Sequence, residues 1–230
     1  MWRGSNRTKS GTMARRFELI VFDWDGTLMD STAAIARAIQ AAARDLGVTV
    51  PSDAAARHVI GLGLREALAY AVPDLPLKRY GEMSERYRHH YLINSRSLFL
   101  FDGITSLLLE LKSRDHRLAV ATGKSRRGLN EVMARSGLDS LMDASRCADE
   151  CFSKPHPQML EELMDELGVS PATTAMVGDT THDLQMAKNA GVSAIAVSYG
   201  AHDKAALIAE QPESCCDTVA ELRLWLHENA

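Results

Sequence analysis

Four short segments of this chain carry residues able to do chemistry: Asp23-Trp24-Asp25-Gly26-Thr27, Thr122-Gly123-Lys124, Lys154-Pro155, and Gly178-Asp179 through Asp183. Two carboxylates separated by one residue offer a nucleophile and a proton donor. Thr122 and the Gly123 amide offer hydrogen bonds to an anion, and Lys154 offers a point charge. Asp179 and Asp183 add oxygen donors for a hard divalent cation. Phosphoryl transfer asks for this combination, because it needs an in-line nucleophile and neutralisation of the charge on the transferring group.

Attack by the Asp23 carboxylate would give an aspartyl-phosphate and split one slow hydrolysis into two steps. Asp25 would protonate the leaving oxygen and then take a proton from the attacking water, a double role that calls for a pKa raised by nearby anions. Asp23, Asp25, Asp179 and Asp183 beside a phosphate would repel one another by several kcal/mol, so a cation is required. Magnesium and Lys154 meet that requirement, with Asp23 and Asp179 as direct ligands and Asp183 ligating directly or through water. Each segment also has a plainer reading. Asp-x-Asp-Gly-Thr can be a turn with an Asx cap, and Gly-Asp with a second Asp four residues on can be a helix N-terminus. All four occur in order and after strands, a coincidence much rarer than any one of these plainer features.

The elements that must position these residues are legible in the apolar pattern. Phe17 to Phe22 is an apolar run of strand length, which leaves Asp23 where a buried strand runs out. Arg117–Ala121, Thr174–Val177 and Ser193–Val197 read as further strands alternating with amphipathic helices, and Cys215 and Cys216 as the close of a late strand. One helix carries Ile104, Leu107, Leu108 and Leu111; another carries Met159, Leu160, Leu163 and Leu167 and stops at Gly168. The alternation predicts an α/β fold with a Rossmann-like parallel sheet core flanked by helices. Ligands of such sheets bind beyond the carboxyl ends of the strands.

Between Asp30 and about Leu98 the rhythm breaks, and helical patterns occur without a convincing strand. Ile35, Ile39 and Leu46 share a face between an N-cap at Ser31 or Thr32 and a stop at Gly47; Tyr80, Met83, Tyr87 and Tyr91 mark a later helix. We therefore expect a disordered tail over 1–13, a catalytic core over 14–30 and 99–230, and an inserted all-helical cap over 31–98. In the cap, Gly61-Leu62-Gly63-Leu64-Arg65 is a glycine-interrupted loop able to approach a ligand closely. It lacks the strand and third glycine of a dinucleotide fingerprint.

Composition narrows the function classes. The 230 residues are 46% hydrophobic and 24% charged with a formal charge of −4, which gives no nucleic-acid footprint and makes a small molecule the expected partner. The four cysteines, Cys147, Cys151, Cys215 and Cys216, have neither metal-site spacing nor a disulfide framework and read as reduced thiols. No apolar run is long enough to span a membrane, so a cytoplasmic location is expected.

On these residues the chain resembles the haloacid dehalogenase superfamily of phosphohydrolases, whose four motifs match Asp23 to Thr27, Thr122, Lys154 and Gly178 to Asp183. Gly61-Leu62-Gly63-Leu64, Thr122-Gly123-Lys124-Ser125-Arg126 and Val177 to Asp183 are similar to the phosphoglycolate phosphatase branch. The resemblance implies a magnesium-dependent phosphoric monoester hydrolase acting on phosphoglycolate or another small phosphorylated metabolite. It also implies that Asp23 is the nucleophile and that Asp25 is the acid/base, whose backbone carbonyl binds the metal. The presence of Asp25 argues against dehalogenation. Phe101-Asp102-Gly103 replaces the proline-containing turn frequent in the family, at the cap hinge. Gly63 and Arg65 are candidate substrate contacts from the cap, Arg65 for a carboxylate. A sugar-phosphate mutase and a phospho-aspartate signalling module are the competing readings, and both monomer and homodimer are open.

Overall fold

The computed structural model describes residues 16–95 and 98–230; the tail expected over 1–13 lies outside them. Six strands form one sheet in the order β3-β2-β1-β4-β5-β6: β1 (Leu19–Phe22), β2 (Arg117–Thr122), β3 (Ala144–Cys147), β4 (Thr174–Gly178), β5 (Ser193–Val197) and β6 (Ser214–Cys216). All neighbours pair in parallel. Their connections are helical: α5 (Ile104–Ser113), α6 (Arg126–Ser136), α7 (Gln158–Leu167), α8 (Thr181–Ala190), α9 (Lys204–Ala209) and, at the end, α10 (Val219–Asn229).

Side-chain alternation along the central strands divides the core into two layers. Ile20, Phe22, Val120 and Val177 face α5, α6 and α10 through Leu107, Leu108, Leu129, Leu222 and Leu226, and Trp24 joins this layer. Leu19, Val21, Ala119, Ala121 and Met176 face α7 and α8 through Met159, Leu160, Leu163 and Met186. Every residue of β1 is buried, which is why its sequence reads as a continuous apolar run.

Between β1 and α5 lie only helices among the described residues: α1 (Thr32–Asp45), α2 (Asp53–His58), α3 (Leu64–Ala71) and α4 (Tyr80–Ser95). Ile35, Ile39, Leu68, Val72 and Met83 form a separate apolar cluster, on which Tyr80, Tyr87 and Tyr91 pack.

Three local readings change. The first strand begins at Leu19, although Phe17 is buried in the core. Ser31 occupies the N-cap position of α1 but makes no capping bond: its backbone, at φ of −121° and ψ of −8°, is not in the extended region usual for a cap, and its hydroxyl donates to Asp25. The edge strand β3 was not expected; Ala-Ser-Arg-Cys is half-exposed and carries no apolar alternation.

Candidate active site

The register brings the chemical residues to one end of the sheet. Phe22 is level with Val120 on one side and Val177 on the other, so Asp23 leaves β1 as β2 reaches Thr122 and β4 reaches Gly178. The Asp23 amide donates to the Val177 carbonyl at 3.0 Å, which holds this first residue past the strand in line. Since β1 lies between β2 and β4, the site sits where the chain's winding reverses, the usual binding crevice of an open parallel sheet.

Lys154 joins two of the carboxylates. Its ammonium lies 2.7 Å from Asp23 Oδ1 and 2.6 Å from Asp183 Oδ1, and its side chain is wholly buried. Burial alone would pull this ammonium's pKa down; Asp183 and Asp23 outweigh it and hold the group above its ordinary value. Asp183 is the third residue of α8 and caps it reciprocally: Thr180 Oγ1 accepts from the Asp183 amide, while Asp183 Oδ2 accepts from the Thr180 amide at 3.1 Å and hydroxyl at 2.7 Å. Asp179 is set by the Thr27 hydroxyl at 2.8 Å and the Ala201 amide at 2.7 Å. Gly26, with φ of +88°, lies so close to the Asp179 carboxylate that a Cβ there would overlap it.

One oxygen of each of Asp23, Asp179 and Asp183 lies within 4.8 Å of the others, and all three residues are buried. Burial first, then their mutual repulsion, raises the pKa of Asp179 well above the carboxylate range. Burial also raises Asp23, against the opposing pull of Lys154. Asp23 Oδ2 is fully buried with no hydrogen-bond partner. An all-oxygen donor set, one orphaned carboxylate oxygen and an excess of buried negative charge fit a hard divalent cation.

Asp25 faces different partners. Its Oδ1 accepts from the Ser31 hydroxyl at 2.6 Å, and its Oδ2 pairs with Lys124 Nζ at 2.9 Å. Lys124 Nζ also lies 3.1 Å from the Tyr91 hydroxyl of α4. Thr122, buried at the end of β2, accepts from the Lys124 amide at 3.2 Å. In the sequence Ser31 reads as a candidate helix cap, Tyr91 as part of a helical stripe and Lys124 as the neighbour of Thr122 and Gly123, and none of the three is marked there as part of the Asp25 surroundings. Their side chains act across distance in the chain, and the one available signal was Lys124 next to the Thr-Gly pair.

The loop 61–63 lies over this end of the sheet. A Cβ on Gly123 would stand 2.5 Å from the Leu62 carbonyl oxygen and 2.6 Å from that of Gly61; a Cβ on Gly61 would stand 3.3 Å from Thr180 Oγ1. The Gly63 amide donates to Ser153 Oγ at 2.8 Å. The loop therefore touches residues beside Lys154, Thr122 and Asp179 in turn. Arg65 is exposed and lines a groove of about 410 Å³ with Leu68, Tyr80, Ser84 and Arg88, none of them a residue of the carboxylate cluster.

His182 and His202 donate from Nε2 to the His58 carbonyl, at 2.7 and 3.0 Å. Burial holds both imidazoles below the ordinary histidine pKa. His182 lies inside the Gly178 to Asp183 segment, whereas His58 and His202 belong to none of the four segments.

Residues 20–197 match the family model of haloacid dehalogenase-like hydrolases, and the chain belongs to that family. Among curated proteins it is 38% identical to a probable phosphatase, IndB, of Dickeya dadantii, over 89% of this chain and 91% of that one. It is 33% identical to a 5'-nucleotidase of Pseudomonas aeruginosa, over 94% and 98%. A phosphoglycolate phosphatase of Synechococcus elongatus is 28% identical over 89% and 95%. The fold is shared with a hydrolase from Pseudomonas syringae at a TM-score of 0.85 and 18% identity, covering 92% of this chain and 98% of that one. The expected superfamily and enzyme class stand: this is a haloacid dehalogenase-like phosphatase, similar in sequence to phosphoglycolate phosphatases among others. Among the described residues no helix is long and apolar enough to cross a membrane.

Proposed function

We propose that this protein hydrolyses a small phosphomonoester, phosphoglycolate-like or another phosphorylated metabolite, through an aspartyl-phosphate on Asp23 and with Mg2+ at the carboxylate cluster. The observation that carries the reading is the Asp23 carboxylate itself. Lys154 holds one of its oxygens at 2.7 Å, and the other is buried with no hydrogen-bond partner, so the carboxylate is fixed in place at the sheet's end and not fully satisfied.

Asp23 attacks phosphorus; the phosphorus–oxygen bond to the substrate alcohol breaks, and the alcohol oxygen takes its proton from the Asp25 carboxyl. Asp25 then accepts a proton from water as that water attacks the aspartyl-phosphate, which restores both carboxyl groups and releases inorganic phosphate. Thr122 and the Gly123 amide hold phosphate oxygens, and Lys154 balances their charge. Asp23, Asp179 and Asp183 would hold the ion, together with the Asp25 backbone carbonyl that the family resemblance implies. When bound it offsets negative charge at the transferring phosphoryl group. Hydroxyl–carboxylate contact at 2.6 Å fixes the Asp25 rotamer through Ser31.

Helices α1–α4 act as a cap over 31–98 that excludes bulk water, with the loop 61–63 as its contact surface. Gly63 belongs to that surface. Arg65 serves a substrate only through the groove it shares with Arg88. A cytoplasmic location goes with this metabolic role.

The test is a panel of phosphorylated metabolites assayed with Mg2+ and with chelator, alongside Asp23→Asn. Release of inorganic phosphate that needs Mg2+ and is lost in the variant is the expected result. Isomerised sugar phosphate without phosphate release would make the protein a mutase instead, and wild-type turnover by Asp23→Asn would remove the nucleophile.

A further inference from the structure

We propose that His58, His182 and His202 form a second metal site, for a divalent transition ion such as Zn2+, Co2+ or Ni2+, between the helical insert and the core. Three imidazoles from separate parts of the chain converge there. His58 ends α2, His182 is the second residue of α8, and His202 lies in the loop after β5. The ring centroids are 5.2 Å apart for His58 and His182, and 5.1 Å for both His58 with His202 and His182 with His202. One ring nitrogen of each lies within 4.8 Å of the other two. His182 and His202 are each only 8% exposed, so the cluster is protected from bulk water while His58 stays half-buried.

The donor spacing suits an ion. Imidazole nitrogens bind such metals at about 2.0–2.1 Å, which places neighbouring donors about 3 Å apart around it. The His58 carbonyl oxygen already stands 2.7 Å from one Nε2 and 3.0 Å from the other, at that spacing. This carbonyl is the terminal one of α2, where no intrahelical partner exists, so it is free to ligate once the two N–H donors are replaced. Ligation through Nε2 puts the His202 proton on Nδ1, which gives up the bond that Nδ1 accepts from the Thr181 amide at 3.1 Å and makes Thr181 Oγ1, at 3.3 Å, the acceptor instead. Drawing the three ring nitrogens together requires shifts of about an ångström, within the reach of imidazole rotation.

Ligand chemistry separates this site from the carboxylate cluster. Imidazole nitrogen favours borderline transition ions, and Mg2+ keeps to oxygen. Because His58 belongs to the insert and the other two to the core, an ion here ties the two together directly beside Asp183. The site stands apart from the phosphatase reading and is tested without turnover.

The experiment adds Co2+ to the full chain held in a large excess of Mg2+, and follows the intense visible absorption of low-coordinate, nitrogen-ligated cobalt. The wild-type protein is expected to develop these bands. His58→Gln keeps the backbone carbonyl and both of its hydrogen bonds, so its melting temperature should match wild type while its Co2+ affinity falls at least about tenfold. His202→Gln should lose the bands as well. No such bands in the wild type, or bands that survive both substitutions, would overturn the site and leave the two imidazoles as hydrogen-bond donors only.

Discussion

The carboxylate end of the sheet and the loop that covers it are built on opposite terms. At the sheet, Asp179 accepts two hydrogen bonds and Asp183 is held by Lys154 and by its own capping box, all wholly buried. At the loop, contact is made by the backbone of Gly61, Leu62 and Gly63 with one hydroxyl bond to Ser153. The first region holds like charges together under strain and so has to be rigid. The second meets the core through surfaces that can part without leaving a buried charge behind. On the proposed function, chemistry would belong to the overdetermined region and access to the lightly fastened one, a division that lets a site be both preorganised and open to substrate.

Substitutions on the two sides should differ in size and in kind. Asp23→Asn removes the proposed nucleophile with little change in shape, and a phosphate-release assay should show a loss on the order of 10⁴-fold or more. Lys154→Met leaves Asp23 and Asp183 buried without their cation. A urea melt in the absence of metal should show a loss of about 3–5 kcal/mol, as expected for a broken buried pair. Gly123→Ala pushes a methyl into the Gly61 and Leu62 carbonyls at 2.5–2.6 Å. It should act on access, raising KM roughly tenfold and leaving the melting temperature within a few degrees of wild type. If Gly123→Ala instead unfolded the protein, the loop would be part of the core's support and the contrast between the regions would fail.

The same contrast explains what could be read in advance. Asp23, Lys154, Asp179 and Asp183 stood out because each lies beside a strand end or in a loop whose neighbours repeat a recognisable local pattern, and the sheet register then brings them together. The strands themselves were visible from buried apolar runs, except β3, whose edge position leaves Ser145 and Arg146 half-exposed. The loop side was far less legible. Tyr91 reaches Lys124, Ser153 reaches Gly63, and His182 and His202 reach the His58 carbonyl across 33, 90, 124 and 144 residues of sequence. No period or spacing encodes such pairs, because they depend on how one helical layer docks on another. Ser31 shows the limit within a single turn of chain. Its type suits a helix cap, yet its backbone, at φ of −121° and ψ of −8°, is not extended like that of Thr180, and its hydroxyl accepts from no helix amide while it donates to the Asp25 carboxylate.

The strain assigned to the carboxylate region has a sign that can be measured. Asp23 is pushed from 3.8 up to about 7 in the folded protein, chiefly by burial, so between those values the folded chain binds more protons than the unfolded one. Metal-free stability therefore falls as pH rises through that window, and the full cost is present above it. Asp23→Asn cannot ionise and its amide oxygen can still accept from Lys154, so it escapes this part of the loss. At pH 8 without metal the variant should be more stable than wild type by about 1–2 kcal/mol, or roughly 3–6 °C in melting temperature, and the two curves should converge near pH 4. Saturating Mg2+ should raise the wild type more than the variant, and should do so more strongly at high pH, where the carboxylates need not lose protons first. A variant that melted below wild type at pH 8 in chelator would mean that the buried carboxylates are already satisfied. The sheet end would then carry no more strain than the loop above it.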